Sequence, residues 1–239
     1  MRIIQYSLSD RCAAALSLVL IAVSWRVEAA RPMVTDDARI VDGKSCQLES
    51  WIKRNRDSSE YWALPACNFS GNLELTLGGA FTRGDDISQT SDVVLQGKTL
   101  FRPLQSNGWG SGLVFGADRH PAERASGFDA YVYSPNSFSF ADDRFVLHVD
   151  AGWLRSQVSH EGRATWGVGS ETQLTERTWF IAETFSQTES KPSYQLGLRH
   201  WLVQDRLQID TTYGDRFGGR GAAQWFSVGL RLLSPPFLP

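Results

Sequence analysis

From Tyr194 onward the chain alternates. Tyr194, Leu196, Leu198 and Leu202 are interleaved with Gln195, Gly197, Arg199 and Trp201, the period of two of a strand with unlike faces. After the turn Val203-Gln204-Asp205-Arg206, a second strand sets Leu207, Ile209, Thr211 and Tyr213 against Gln208, Asp210, Thr212 and Gly214. Beyond the Gly-rich stretch Asp215 to Ala223, a third sets Phe226, Val228, Leu230 and Leu232 against Trp225, Ser227, Gly229 and Arg231. A tight turn and then a long polar loop is the habit of an outer-membrane barrel.

The same rule, more faintly written, places strands at Ser45 to Ile52, Ser59 to Cys67, Leu73 to Thr82, Asp92 to Phe101, Gly110 to Asp118, Gly127 to Ser134, Phe145 to Leu154, Ala164 to Leu174 and Trp179 to Phe185. With the last three, the expectation is an all-β, antiparallel transmembrane β-barrel of about twelve strands, with short periplasmic turns and longer outer loops. Inner turns fall at Asn68 to Gly71, Pro103 to Gly108, Ser137 to Asp143, Thr175 to Arg177 and Gln204-Asp205. Outer loops fall at Lys53 to Ser58, Arg83 to Ser91, Arg119 to Ser126, Gln157 to Arg163, Ser186 to Ser193 and Asp215 to Ala223. The outer loops hold His120 and His160, read as solvated loop residues.

Each strand has one oily side. Parity alone does not say whether it meets lipid or a soluble core, since lipocalin-like barrels invert the same pattern. Strands of around ten residues suit a tilted membrane crossing, and Trp51, Trp109, Trp153, Trp166, Trp179 and Tyr194 sit near strand ends, where interfacial girdles need them. Trp201 and Trp225 fall on the polar face and favour packing inside. With the oily sides outward, the lumen carries Glu74, Lys98, His148, Asp150, Glu171, Arg199, Asp210 and Arg231 as the candidates for lining a permeation path or for plugging it. A two-residue loop at Gln204-Asp205 would set Leu202 opposite Leu207, Leu196 opposite Tyr213 and Arg199 opposite Asp210. A loop symmetric about Arg220-Gly221 would add Arg231 opposite Asp210, completing a charge row.

The chain opens with a targeting pattern: Arg2 and Arg11, an uncharged apolar run from Cys12 to Trp25, and Val27-Glu28-Ala29 before a cut after Ala29. No later apolar run approaches the ~18 residues of a membrane helix. The division expected is a signal peptide at 1–29, an N-terminal periplasmic segment at 30–44, the barrel at 45–233 and a tail at 234–239. Removing the signal peptide takes three arginines and two carboxylates and moves the formal net charge from −2 to −3, which offers nothing to nucleic acid. With 21 Gly, 9 Trp and 2 Met in 239 residues, the chain lacks the look of helices. Cys12 leaves with the signal peptide, and Cys46 and Cys67, opposite each other when the first hairpin folds back, are expected to form a disulfide in an oxidising compartment. The chain-entropy model values such a loop at about 3 kcal/mol.

Ahead of that hairpin run Pro32, Thr35-Asp36-Asp37-Ala38, Gly43 and Gln47-Leu48-Glu49, followed by Leu64-Pro65 and Asn72-Leu73-Glu74-Leu75. Over residues 32 to 75 this order resembles the outer-membrane transporters grouped as the phenol meta-pathway degradation family. The resemblance implies a porin-like barrel passing aromatic or other hydrophobic compounds. Thr35-Asp36-Asp37 reads as a turn or cap more readily than as a calcium ligand pair, for want of further oxygen ligands at fixed spacing. No cofactor and no metal is indicated. The partners expected are the outer-membrane bilayer, a small solute and the outer-membrane assembly machinery. Segment 31–44 would obstruct so narrow a barrel further.

Two rivals stand beside the passive channel. One is a plugged structural or lipid-modifying barrel. For catalysis, the discriminating sign is a serine within hydrogen-bond reach of His148 or His200 with a carboxylate behind the ring. The other is a soluble lipocalin-like barrel with an apolar cavity.

Overall fold

The computed structural model describes residues 33–85, 87–121, 127–157, 159–219 and 221–239. The expected signal peptide lies outside them. Among the described residues there are twelve strands: β1 (Ser45–Arg54), β2 (Ser58–Asn68), β3 (Glu74–Gly84), β4 (Ser88–Arg102), β5 (Trp109–Arg119), β6 (Asp129–Phe140), β7 (Phe145–Arg155), β8 (Gly162–Thr175), β9 (Thr178–Gln187), β10 (Ser193–Val203), β11 (Leu207–Arg216) and β12 (Trp225–Leu233). Each pairs antiparallel with its sequence neighbour, and β1 pairs with β12 to close the barrel. Closure removes both sheet edges. The alternation read from the sequence thus specifies the architecture.

The apolar set points outward. Leu77 is 61% exposed, Leu95 58% and Phe101 70%, while Glu74 and Lys98 on the same two strands are 4% exposed. This orientation inverts that of a lipocalin-like barrel, whose interior is apolar.

Several local expectations need correction. β6 continues to Phe140, past the turn expected at Ser137 to Asp143. Ser137 and Ser139 face in while Phe138 and Phe140 face out, so the alternation persists through Pro135, and the turn shrinks to 141–144. The loops expected at Lys53 to Ser58 and Arg83 to Ser91 are shorter than expected, since β1 runs on to Arg54 and β3 to Gly84 while β2 begins at Ser58 and β4 at Ser88. The longest connections are 120–128 and 217–224, both at one end; we call it the loop end, and the opposite one, which carries the start of β1 and the finish of β12, the turn end.

Register errors have equally local causes. Leu196 faces Tyr213 and Arg199 faces Asp210 as expected. A bulge between Trp201 and Val203 sets Val203, rather than Leu202, against Leu207. The 217–224 connection does not give the register expected from symmetry about Arg220-Gly221: Asp210 faces Gly229 and Arg231 faces Gln208, so Arg231 stands diagonal to Asp210 and not directly opposite it. Trp109, Trp153 and Trp166 lie outside as girdle residues should, but Trp51 stacks on Trp62 inside the barrel and Trp179 is buried. Val41, Trp179, Trp201 and Leu233 form a small apolar cluster.

Cys46 and Cys67 are directly opposed across β1 and β2 and form a disulfide, Cα to Cα 4.0 Å. The tail turns back on the start of β1, the Phe237 and Leu238 amides donating to the Lys44 carbonyl at 2.8 and 3.0 Å.

Candidate functional site

Even parity on one strand and the matching parity on its neighbour put carboxylates, cations and amides on the inner wall, and the segment ahead of β1 occupies the space between them. Residues 33–44, part of the stretch expected as a periplasmic segment, run inside the barrel. Their backbone is held by wall side chains. The Val34 and Thr35 amides both donate to Glu183 at 2.8 Å, the Asp36 amide to Asp150 Oδ2 at 2.7 Å, the Ala38 amide to Ser137 Oγ at 2.9 Å and the Val41 amide to Glu74 Oε2 at 2.9 Å. Asn68 Nδ2 donates to the Val41 carbonyl at 2.7 Å. An extended segment has no ladder of its own, so every buried amide needs such a partner.

The acidic pair of this segment is locked as well. Lys98 Nζ sits 2.7 Å from Asp36 Oδ1 and 3.2 Å from Asp37 Oδ1, and the Tyr133 hydroxyl donates to Asp36 Oδ2 at 3.1 Å. Burial alone would raise the Asp37 pKa, but the charges of Lys98 and Arg39 outweigh it and hold the carboxyl below its usual range. Asp36 and Asp37 are therefore ion-pair partners, and Asp37 is also the turn residue expected, its Oδ1 accepting from the Arg39 amide at 3.1 Å. Room for the segment comes from the wall. A Cβ on Gly167 would lie 2.7 Å from Thr35 Oγ1, and one on Gly169 3.2 Å from Met33 Sδ.

Toward the turn end the wall binds itself. Arg199 passes the Trp179 ring, 5.4 Å from its centroid, and forks onto Glu171 on the next strand but one, at 2.8 and 2.6 Å. Arg231 Nε donates to Gln47 at 2.7 Å and lies 3.6 Å from Glu49. All eight expected lumenal residues, Glu74, Lys98, His148, Asp150, Glu171, Arg199, Asp210 and Arg231, are buried inside. Buried charges of this kind persist only when paired. Glu183, Ser137 and Tyr133 belong to the same lining and were missed, although the parity of β9 and β6 marks them.

The sign named for catalysis is present in outline. Ser137 Oγ lies 2.8 Å from His148 Nδ1, and His148 Nε2 lies 3.7 Å from Glu171 Oε1. Ser137 and His148 are 0% exposed, the hydroxyl is occupied by the Ala38 amide, and Glu171 is engaged by Arg199. No substrate carbonyl reaches that oxygen in this arrangement. His200 bonds Thr178 Oγ1 at 2.9 Å and has no serine.

Above the segment, on the loop side, the lumen opens into a vestibule of two adjoining cavities of about 440 and 500 Å³ that share Val34, Tyr133, Phe185 and Ser193. Its walls carry aromatic rings among polar and charged side chains such as Lys53, Glu60 and Asp150. Trp51 and Trp62 stack with centroids 5.0 Å apart, and Tyr131 and Tyr133 with centroids 6.2 Å apart. At the rim, Asp92, Asp118 and His120 bring ligand-capable atoms within 4.8 Å of one another, a set that could hold a divalent cation. His120, expected to be simply solvated, lies 3.0 Å from Asp92 Oδ1 and 3.6 Å from Asp129 Oδ2. Its partial burial would lower the ring pKa, and the carboxylates of Asp118, Asp92 and Asp129 raise it on balance.

A family model described as "Uncharacterised conserved protein UCP029691" matches residues 15–233. The chain belongs to that family. It is a different family from the phenol meta-pathway one that residues 32 to 75 resemble. Among solved structures, this UCP029691 chain is similar to the "KdgM porin in complex with disordered oligogalacturonate", with a TM-score of 0.60 and 7% identity over 78% of this chain and 98% of that one. It is similar also to the NanC porin, with a TM-score of 0.54 and 10% identity over 79% of this chain and 98% of that one. At such identities the likeness is one of fold, a porin-like barrel. No curated protein matches the sequence.

Proposed function

We propose that the protein is an outer-membrane barrel that passes small solutes passively and rests in a closed state, stopped by its own residues 33–44. The observation that carries this reading is the pairing of an apolar outer wall with a charged inner one across twelve closed strands. Such a cylinder is stable where its outside meets hydrocarbon and its inside meets water. The apolar run and small residues before Ala29 supply the export signal on this reading, and insertion would draw on the outer-membrane assembly machinery. The loop end then faces outward and the turn end the periplasm.

The lumen narrows the solute. Asp36, Asp37, Glu74, Asp150, Glu171, Glu183 and Asp210 face Lys98, Arg199 and Arg231, so carboxylates outnumber cations. A lining of that sign repels polyanions, and the oligogalacturonate with which the KdgM porin forms its complex is therefore not carried over to this chain. A vestibule that carries aromatic rings favours solutes with an apolar face, in keeping with the aromatic or hydrophobic compounds implied by the sequence resemblance.

The test is single-channel recording of the mature chain folded in detergent and inserted in a planar bilayer, beside the chain lacking residues 30–44. The intact protein is expected to be mostly silent with brief openings, and the truncated one to show steady steps with cation preference. A truncated barrel that inserts and never conducts would sink the channel reading and leave a structural role.

A further inference from the structure

We infer that the 440 Å³ cavity of the vestibule is a binding site for small amine-bearing molecules with an apolar body, Asp150 receiving the ammonium group. The inference rests on the reading of the vestibule as the entry to a solute path. It starts from two buried polar atoms that lack partners. Asp150 is 9% exposed and Thr35 1%. Asp150 Oδ2 is used by the Asp36 amide, but Oδ1 accepts no hydrogen bond, and neither does Thr35 Oγ1 have a partner. Both residues line the same cavity. Leaving such atoms unmatched is costly, and a ligand donor that reaches either one from the cavity removes part of the cost.

The donor is best positive, because an ammonium group holds Asp150 in its ionised form, in which a carboxylate only accepts. The rest of the cavity fixes the body of the ligand. Tyr131 and Tyr133 commit their hydroxyls to Gln96 and Asp36, which leaves their ring faces as a stacked platform, and Leu154 and Phe185 line the same space. Ring faces attract both an apolar surface and an ammonium group. Lys191 and Arg216 stand at the same cavity but are exposed, so solvent screens them.

The experiment uses the full mature chain folded in detergent and calorimetric titration with 2-phenylethylamine and with 2-phenylethanol, which share size and ring and differ in the head group. Saturable amine binding is expected, about tenfold or more tighter than the alcohol, the equivalent of one charge-assisted contact. Asp150→Asn keeps an acceptor for the Asp36 amide and puts an NH2 in place of the free oxygen, and it should abolish the preference. Thr35→Val should weaken the amine several-fold, and heat-dependent gel mobility checks that both variants fold. Equal affinities for the two probes in the wild-type barrel, no saturation by the amine, or a preference retained in folded Asp150→Asn would overturn the inference. Binding in detergent needs no conduction, so a barrel that binds amine but never conducts sinks the channel reading alone. A barrel that conducts after truncation but ignores the amine sinks only this inference.

Discussion

Lys98 is the wall cation that faces both carboxylates at the middle of the occluding segment, and replacing it tests whether that segment is held by charge. In Lys98→Met the contacts at 2.7 and 3.2 Å to Asp36 and Asp37 are lost, and the carboxylates remain in a site where Asp37 is 1% exposed. Removing one partner of a buried pair costs about 3–5 kcal/mol. The barrel does not need to unfold to escape this cost, since the segment can leave the lumen and return its carboxylates to water. The population with residues 33–44 displaced should therefore rise by about two to nearly four orders of magnitude, and ordering each of these residues opposes the closed state by about 1–2 kcal/mol as well. Single-channel recording reads the change as open time, and limited proteolysis reads it as cleavage near Met33 from the loop side. If Lys98→Met folds, inserts and shows wild-type open time and wild-type protection, the ionic lock does not hold the segment and the reasoning fails.

Acid should reach the same lock from the other side. The Asp37 pKa is lowered in the folded protein from its ordinary 3.8, so its stabilising contribution is complete above that value and is lost as pH falls through the lower folded value. The difference in open time between the wild type and Asp37→Asn should stay constant from pH 8 to 5 and shrink only below about pH 4; a difference already lost at pH 6 would contradict the lock. Gly167→Leu should drive the segment out without touching a charge, because its Cβ would meet Thr35 Oγ1 at 2.7 Å; the readout is again open time, and an unchanged closed state would contradict the fit. At the rim, His120 is held above its ordinary 6.5 in the folded protein, so the stabilisation it gives is present below that value and fades as pH rises through the raised one. An NMR titration of the ring should give a midpoint above 6.5 that drops in Asp92→Asn, and a midpoint at or under 6.5 would contradict the cluster geometry.

Strand number and the two unlike faces of each strand were legible because period two is a local signal that each hairpin repeats. Arg199 opposite Asp210 followed from the same arithmetic. What failed was whatever depended on a single extra residue or on a distant chain segment. The bulge at Trp201 to Val203 adds one residue that no pattern marks, and the 217–224 loop shifts Arg231 by two positions for the same reason. Pro135-Asn136-Ser137 resembles a turn, and only its neighbours across the sheet keep it extended. The grip on residues 33–44 was visible only as an obstruction, because its partners lie as much as 149 residues away, as Val34 does from Glu183. The Ser137, His148 and Glu171 grouping was likewise hidden, since three strands contribute one member each.

The position of the occluding segment favours an order of events in assembly. Residues 33–44 lead directly into β1, and β1 finds its second partner only in β12, the last strand of the chain. Docking of that peptide between the walls is least hindered before the final seam zips. Strands β6, β7 and β9, which supply Ser137, Asp150 and Glu183, can receive their guest while the cylinder is still an open sheet, with residues 33–44 serving as a form around which the others are wrapped.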